Sequence, residues 1–165
     1  VRTRPGVIYY RNNVRGSGID ARALKSAAAR LLAAAGEANA SLSLTLLNDA
    51  AIRKLNREHR GQDRATDVLS FPLFEPGERR THGDPGPERM LGDVVISVET
   101  ARRQAADYDA GIQDEVYRLL IHGVAHVLGH DHERPQERER MIALERRMAA
   151  AIGMAWPYDA PEQTA

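Results

Sequence analysis

Apolar residues recur along this chain with two periods, and the switches between them mark out its elements. Leu42, Leu44 and Leu46 alternate with Ser41, Ser43 and Thr45, a period of two that predicts a strand with one buried face. An earlier strand is predicted over Val7 to Tyr10, between Gly6 and Asn12-Asn13. Between these strands Leu24, Ala28, Leu31 and Leu32 fall at three- and four-residue steps, predicting a helix capped by Asp20 and running to about Ala35. A second helix, capped by Asn48 or Asp49, carries Ile52 and Leu55 inward and ends near Arg57, which sets Arg60-Gly61 on a loop.

Val68 to Phe71 is a short apolar run stopped by Pro72, the pattern of an edge or terminal strand. Leu91 to Val98 predicts a strand and Glu99 to about Ala106 a helix. A longer helix starts at Asp109 and carries Val116, Leu119, Leu120, Val124 and Val127, with Asp114 and Arg118 spaced for a surface ion pair. Gly129 is placed to end it in a left-handed conformation. Pro135 opens a last helix to about Ile152, with Met141, Ile142, Leu144, Met148 and Ile152 inward and Gly153 as its stop. Residues 75–90, rich in proline and glycine, read as a flexible loop rather than a domain boundary, with His82 an exposed bystander. Residues 154–165 read as a tail pinned by Trp156. The order β-α-β-α-β-β-α-α-α predicts one α/β (α+β) domain over 1–165, a small mixed sheet packed with about five helices.

Composition narrows the partners. With 42% hydrophobic and 28% charged residues the chain is ordinary for a globular protein. No apolar run is long enough to span a bilayer, and no signal core follows the basic start Val1-Arg-Thr-Arg-Pro, so a cytoplasmic protein without a membrane partner is expected. Cysteine is absent, which excludes disulfides and thiolate ligands. The 23 basic and 23 acidic residues cancel, which speaks against indiscriminate phosphate binding and leaves room for a local basic groove. All basic residues except Lys25 and Lys54 are arginine; compositional bias accounts for most of this, and the guanidinium fork suits phosphate.

The chemistry concentrates in His122-Gly-Val-Ala-His126-Val-Leu-Gly-His-Asp-His132, which holds four of the six histidines. His122 and His126 lie one helical turn apart on one face, and the turn at Gly129 brings His132 back toward them. Three neutral imidazoles with a fourth position open are the ligand set of a catalytic zinc site, one Zn2+ per chain, although Ni2+ or another divalent ion is also compatible. A His-Glu-x-x-His protease carries its general base beside the first ligand; here Gly123 stands there, which lowers the peptidase reading. His130 is left out of the ligand set. Asp131 is read equally as a partner of a ligand imidazole or a cap of the next turn, and Glu115, seven residues before His122 on the same helical face, as a surface charge with support of a ligand imidazole as the alternative. Ser70 has no evident base partner, so a serine hydrolase is rejected.

The pattern His-Gly-x-x-His-x-x-Gly-x-Asp-His resembles the signature of the YbeY family of metal-dependent endoribonucleases. Leu55-Asn56, Arg60-Gly61 and Thr66-Asp67-Val68-Leu69-Ser70-Phe71-Pro72 resemble a second block of that family, and Leu91-Gly92-Asp93-Val94-Val95-Ile96-Ser97 a third. The resemblance implies a four-stranded sheet with a zincin-like His-x3-His helix and the metal at a cleft mouth. It implies cleavage of single-stranded RNA in small-subunit ribosomal RNA 3'-end maturation and ribosome quality control, with the small ribosomal subunit and its factors as partners and no DNA. It also implies that Arg60 is an active-cleft arginine; spacing alone does not bring it to the metal. Two other readings compete: a metallopeptidase or other zinc hydrolase, and a ribosome-assembly binding protein with a structural metal, for which His130 is the available fourth ligand.

Overall fold

The computed structural model describes residues 5–74 and 89–156. Strand β1 (Ile8–Asn12) leads through α1 (Ala21–Ala34) to β2 (Ala40–Leu47), and α2 (Asp49–Arg60) leads to β3 (Val68–Pro72) and β4 (Arg89–Ser97). Three helices close the fold: α3 (Val98–Asp107), α4 (Ile112–Val127) and α5 (Pro135–Ala151). The predicted order of elements is the one observed. The four strands form one mixed sheet in the order β1-β2-β4-β3, with β1, β2 and β4 parallel and β3 antiparallel on the edge.

The alternation in β2 does what its pattern predicts. Leu42, Leu44 and Leu46 join Val94 and Ile96 of β4 on one face, where α1, α4 and α5 bury Leu31, Leu120 and Met148 against them. On the other face α2 lays Ile52 over Leu69 and Val95. Edge placement of β3 suits Pro72, which has no N–H to give to a further strand.

Two helix starts are locked together. Asn48 caps α2 by accepting from the Ala51 N–H, and Ser97 caps α3 by accepting from Thr100 N–H. Asp49, the first residue of α2, accepts hydroxyl bonds of 2.6 Å from both Ser97 and Thr100 and a 2.9 Å bond from Arg103. Its own N–H donates to the Glu99 carboxylate at 2.9 Å. Two helices' N-termini thus meet over two acidic side chains, which suits their positive dipole ends.

Some element ends differ from expectation. α2 continues to Arg60, and Gly61 takes the left-handed cap at φ +68°, so Arg60 belongs to the last helical turn and not to a loop. α4 starts at Ile112, because Asp109 adopts a positive φ of 53° that no helix start tolerates. The predicted Asp114–Arg118 pair does not form: Arg118 binds Glu115 through a fork of 2.9 and 3.1 Å contacts. Glu115 is 1% exposed and is not the surface charge expected, since it lies one turn before Leu119 on the buried stripe. In α5, Met141, Leu144 and Met148 are buried as predicted, while Ile142 and Ile152 are only partly covered. Trp156 packs partly buried against the main core. The predicted loop over 75–90 lies outside the described residues, His82 included, apart from Arg89 and Met90, which begin β4; most of the predicted tail lies outside them too.

Candidate metal centre and cleft

Helix α4 crosses β3 and β4 at close range, and Gly123 is the reason it can. A Cβ at this position would stand 2.7 Å from Val94 Cγ1 and 3.3 Å from Ser70 Oγ. The Ser70 hydroxyl donates to the Gly123 carbonyl at 2.9 Å, pinning the helix to the edge strand. The hydroxyl is therefore committed to a backbone acceptor, in keeping with the rejection of a serine nucleophile. A glutamate at 123 would point into the sheet, so the position cannot hold a general base.

With Gly123 against the sheet, the His face of α4 turns toward the cleft. His122 and His126 meet with Nε2 atoms 3.1 Å apart and ring centroids 4.6 Å apart. Two nitrogens each about 2.0–2.1 Å from a tetrahedral zinc stand roughly 3.3 Å from one another. His122 Nδ1 lies 3.3 Å from Glu145 Oε2; an ionised carboxylate only accepts, so Nδ1 carries the proton and Nε2 the lone pair. The two Nε2 atoms face one another at 3.1 Å, where a shared proton or a metal cation would satisfy both.

Burial lowers the His126 pKa, and the neighbouring His122 and His132 push it the same way, against Asp131 and the His130 backbone. The ring is thus kept neutral near pH 7, as a metal ligand requires. His132 stands farther out, on the connection to α5, with its ring centroid 6.2 Å from that of His122 and 5.7 Å from that of His126. As placed, no group of three potential ligand side chains among the described residues is close enough to hold a metal ion. Three imidazoles on one tetrahedral zinc have centroids roughly 5 Å apart, so His132 would need to move inward by about 1 Å. The three imidazoles are donors of the kind zinc takes, with His132 standing outside the range of an ion shared with the other two.

Asp131 accepts from the His132 N–H at 2.7 Å and lies 4.0 Å from the His132 ring, so it caps the turn. Glu115 pairs with Arg118 and not with an imidazole. His130 lies among Arg147, Arg140 and Glu145; burial and the two arginines lower its pKa, and Glu145 opposes them. Sequence reasoning missed Glu145 altogether. Its signal was position: it stands four residues after Met141, inside the apolar stripe of α5.

Arg60 comes to the site from the end of α2. Its Nη2 donates to the Ser70 carbonyl at 2.6 Å, and its guanidinium lies 5.7 Å from the centre of the Phe71 ring. Ser70 thus holds Arg60 with its carbonyl and α4 with its hydroxyl. A cleft of about 370 Å³ is lined by Arg60, Asp67, Ser70, Arg118, His122 and His126. Asp93, in the third of the family-like blocks, is exposed on β4.

Comparison with known proteins gives one answer. Residues 10–153 match the family model described as Endoribonuclease YbeY. The Endoribonuclease YbeY of an Anaeromyxobacter species is 49% identical over 134 residues, covering 81% of this chain and 66% of that protein. Its counterpart in Myxococcus xanthus is 53% identical over 113 residues, covering 68% of this chain and 37% of that protein. In Moorella thermoacetica the identity is 45% over 129 residues, covering 78% and 81%. The chain spans two thirds or less of the length of the first two relatives. A solution structure of a protein from Thermotoga maritima shares the fold, with a TM-score of 0.54 and 21% identity, over 92% of this chain and 98% of that one.

Proposed function

This chain belongs to the YbeY endoribonuclease family, and from that premise we propose that it is a metal-dependent endoribonuclease that hydrolyses single-stranded RNA. The observation that carries the reading is the His122–His126 pair, Nε2 to Nε2 at 3.1 Å, opening onto the same cleft as Arg60. His122 and His126 would hold the ion from one rigid helix, with His132 closing from the loop. When bound, a zinc ion polarises a phosphoryl oxygen and lowers the pKa of its water to about 7. Arg60 supplies positive charge where the phosphate gains negative charge, and its tether to Ser70 fixes that charge before substrate arrives. The single-strand preference rests on the family resemblance. Zn2+ is the proposed metal, since three imidazoles suit it, with Ni2+ as the alternative.

The proposed setting is the cytoplasm, in small-subunit ribosomal RNA 3'-end maturation and ribosome quality control, with the small subunit as partner. Family resemblance supports this part alone. No helix among the described residues is long and apolar enough to cross a membrane. The peptidase reading is disfavoured by Gly123, whose missing Cβ is a steric requirement. A closed structural metal is disfavoured by the surroundings of His130, which face α5.

Metal content, measured together with cleavage of single-stranded RNA, duplex RNA and a casein-type peptide, tests the proposal, with His126→Ala as control for contaminating nuclease. Single-strand cleavage lost in the variant is expected. Peptide cleavage, or RNA cleavage that survives in the variant, would overturn it.

A further inference from the structure

Helix α5 buries Met141, Leu144, Met148 and Ala149 in the main core. Glu145 interrupts that stripe at 7% exposure. Burying a carboxylate is costly unless it is partnered, so its neighbours decide what it is for. Its hydrogen-bond partner is His122 Nδ1, 23 residues earlier in the chain.

We propose that Glu145 is a positioning residue for the metal centre: from α5 it holds the Nδ1–H of His122, so that the Nε2 lone pair is presented to the ion. This rests on the three-histidine metal reading above. The two ring nitrogens face opposite ways, Nδ1 toward Glu145 and Nε2 toward His126. Glu145 therefore does not reach the ion as a ligand and acts through the imidazole. An acceptor-only carboxylate on Nδ1 selects one of two neutral tautomers and restrains rotation of the ring. Carboxylate partners of this kind also raise the basicity of the ligating nitrogen. A plain clasp between α4 and α5 would need only packing; a buried acid aimed at the far edge of a ligand ring adds chemistry that packing does not require.

The test uses the full chain and Zn2+ itself. Zn2+ affinity is measured by competition with a chromophoric chelator in wild type, Glu145→Gln, Glu145→Asp and His126→Ala, with circular dichroism melts alongside. Ring 15N shifts of His122 are recorded in metal-free wild type and Glu145→Gln above pH 7. Glu145→Gln, nearly isosteric, is expected to keep the fold, to weaken Zn2+ binding by about 10-fold, and to shift His122 from the Nδ1–H toward the Nε2–H tautomer. Glu145→Asp, one methylene shorter, is expected to fall between. Unchanged affinity with an unchanged tautomer would overturn the proposal, as would a lowered melting temperature with neither of the other two effects. If wild type takes up no stoichiometric Zn2+, or His126→Ala takes up as much, the metal reading itself fails and this one with it. If His126→Ala behaves and Glu145→Gln binds like wild type, only the role of Glu145 fails.

Discussion

At the junction of α2 and α3, Asp49 receives three hydrogen bonds, from Ser97, Thr100 and Arg103, and its backbone N–H goes to Glu99. On α4, His122 spends one ring edge on Glu145 and turns the other toward His126. Both clusters are polar and both are partly buried. In the first, donors and acceptors find each other and the cluster needs nothing from outside. In the second, Glu145 fixes the outer edge of His122 and two imidazole nitrogens are left facing each other inside. A self-satisfied cluster holds elements together, whereas one satisfied on its outer side alone is prepared for something that is not part of the chain. Charge count and burial do not separate the two; the direction of the lone pairs does.

The contrast is sharpest at His126. His126→Ala is expected to remain folded and to lose both stoichiometric zinc and RNA cleavage, read by metal analysis and a single-strand cleavage assay; full activity in a folded, metal-free variant would erase the distinction. Next comes Arg60→Ala. It should keep the metal and lose cleavage by roughly 10²–10³-fold, the scale for one preorganised charge or donor. Normal turnover there would confine Arg60 to bracing Ser70. Gly123→Ala probes the contact between α4 and the sheet. Overpacking costs about 1–3 kcal/mol, and the helix preference of alanine returns about 1 kcal/mol. A lowered denaturation midpoint is expected; an unchanged one would show that Val94 yields freely.

Asp49→Ala carries the smallest effect, a destabilisation of about 1–2 kcal/mol with cleavage per folded molecule unchanged. Its pH dependence has a definite sign. Burial opposes ionisation of Asp49, but the bonds from Ser97, Thr100 and Arg103, with the Arg103 charge, outweigh it and lower the pKa. A carboxylate with a lowered folded pKa stabilises fully above its unfolded value of about 3.9, and that stability is lost as pH falls through the folded value. Denaturant curves for wild type and Asp49→Ala should therefore converge below about pH 4; a constant gap down to pH 2 would place the effect in helix capping rather than in the charge.

The order of elements was legible because periodicity is a local property. Leu42, Leu44 and Leu46 declare a strand without reference to anything else, and Asp20 and Pro135 mark helix starts by their own chemistry. The histidine pair was legible for the same reason, since helical spacing places both rings on one face. Arg60 was not, except through family resemblance, because its approach depends on β3 lying antiparallel to β4 and presenting the Ser70 carbonyl. Glu115 and Glu145 were harder still. Each sits in a helix rich in charge, and only its place on the apolar stripe distinguishes it from solvated neighbours. A charged residue at an inward position is the signal, and the partner that explains it lies one helical turn away for Glu115 but on another helix for Glu145.

The strand order β1-β2-β4-β3 has a consequence in time. As the chain is made, β2 has one edge filled by β1 and must wait some forty residues for β4 to fill the other. β3 is made before β4 and has no other strand neighbour among the described residues, so it waits as well. Distant parallel pairing of this kind is the slow part of folding, because loop closure is required before any contact rewards it. Ser70 therefore gains its hold on both Arg60 and α4 only after the middle of the sheet and the helix beyond it exist. A nascent chain carries every residue of one wall of the cleft well before there is a second wall for it to face.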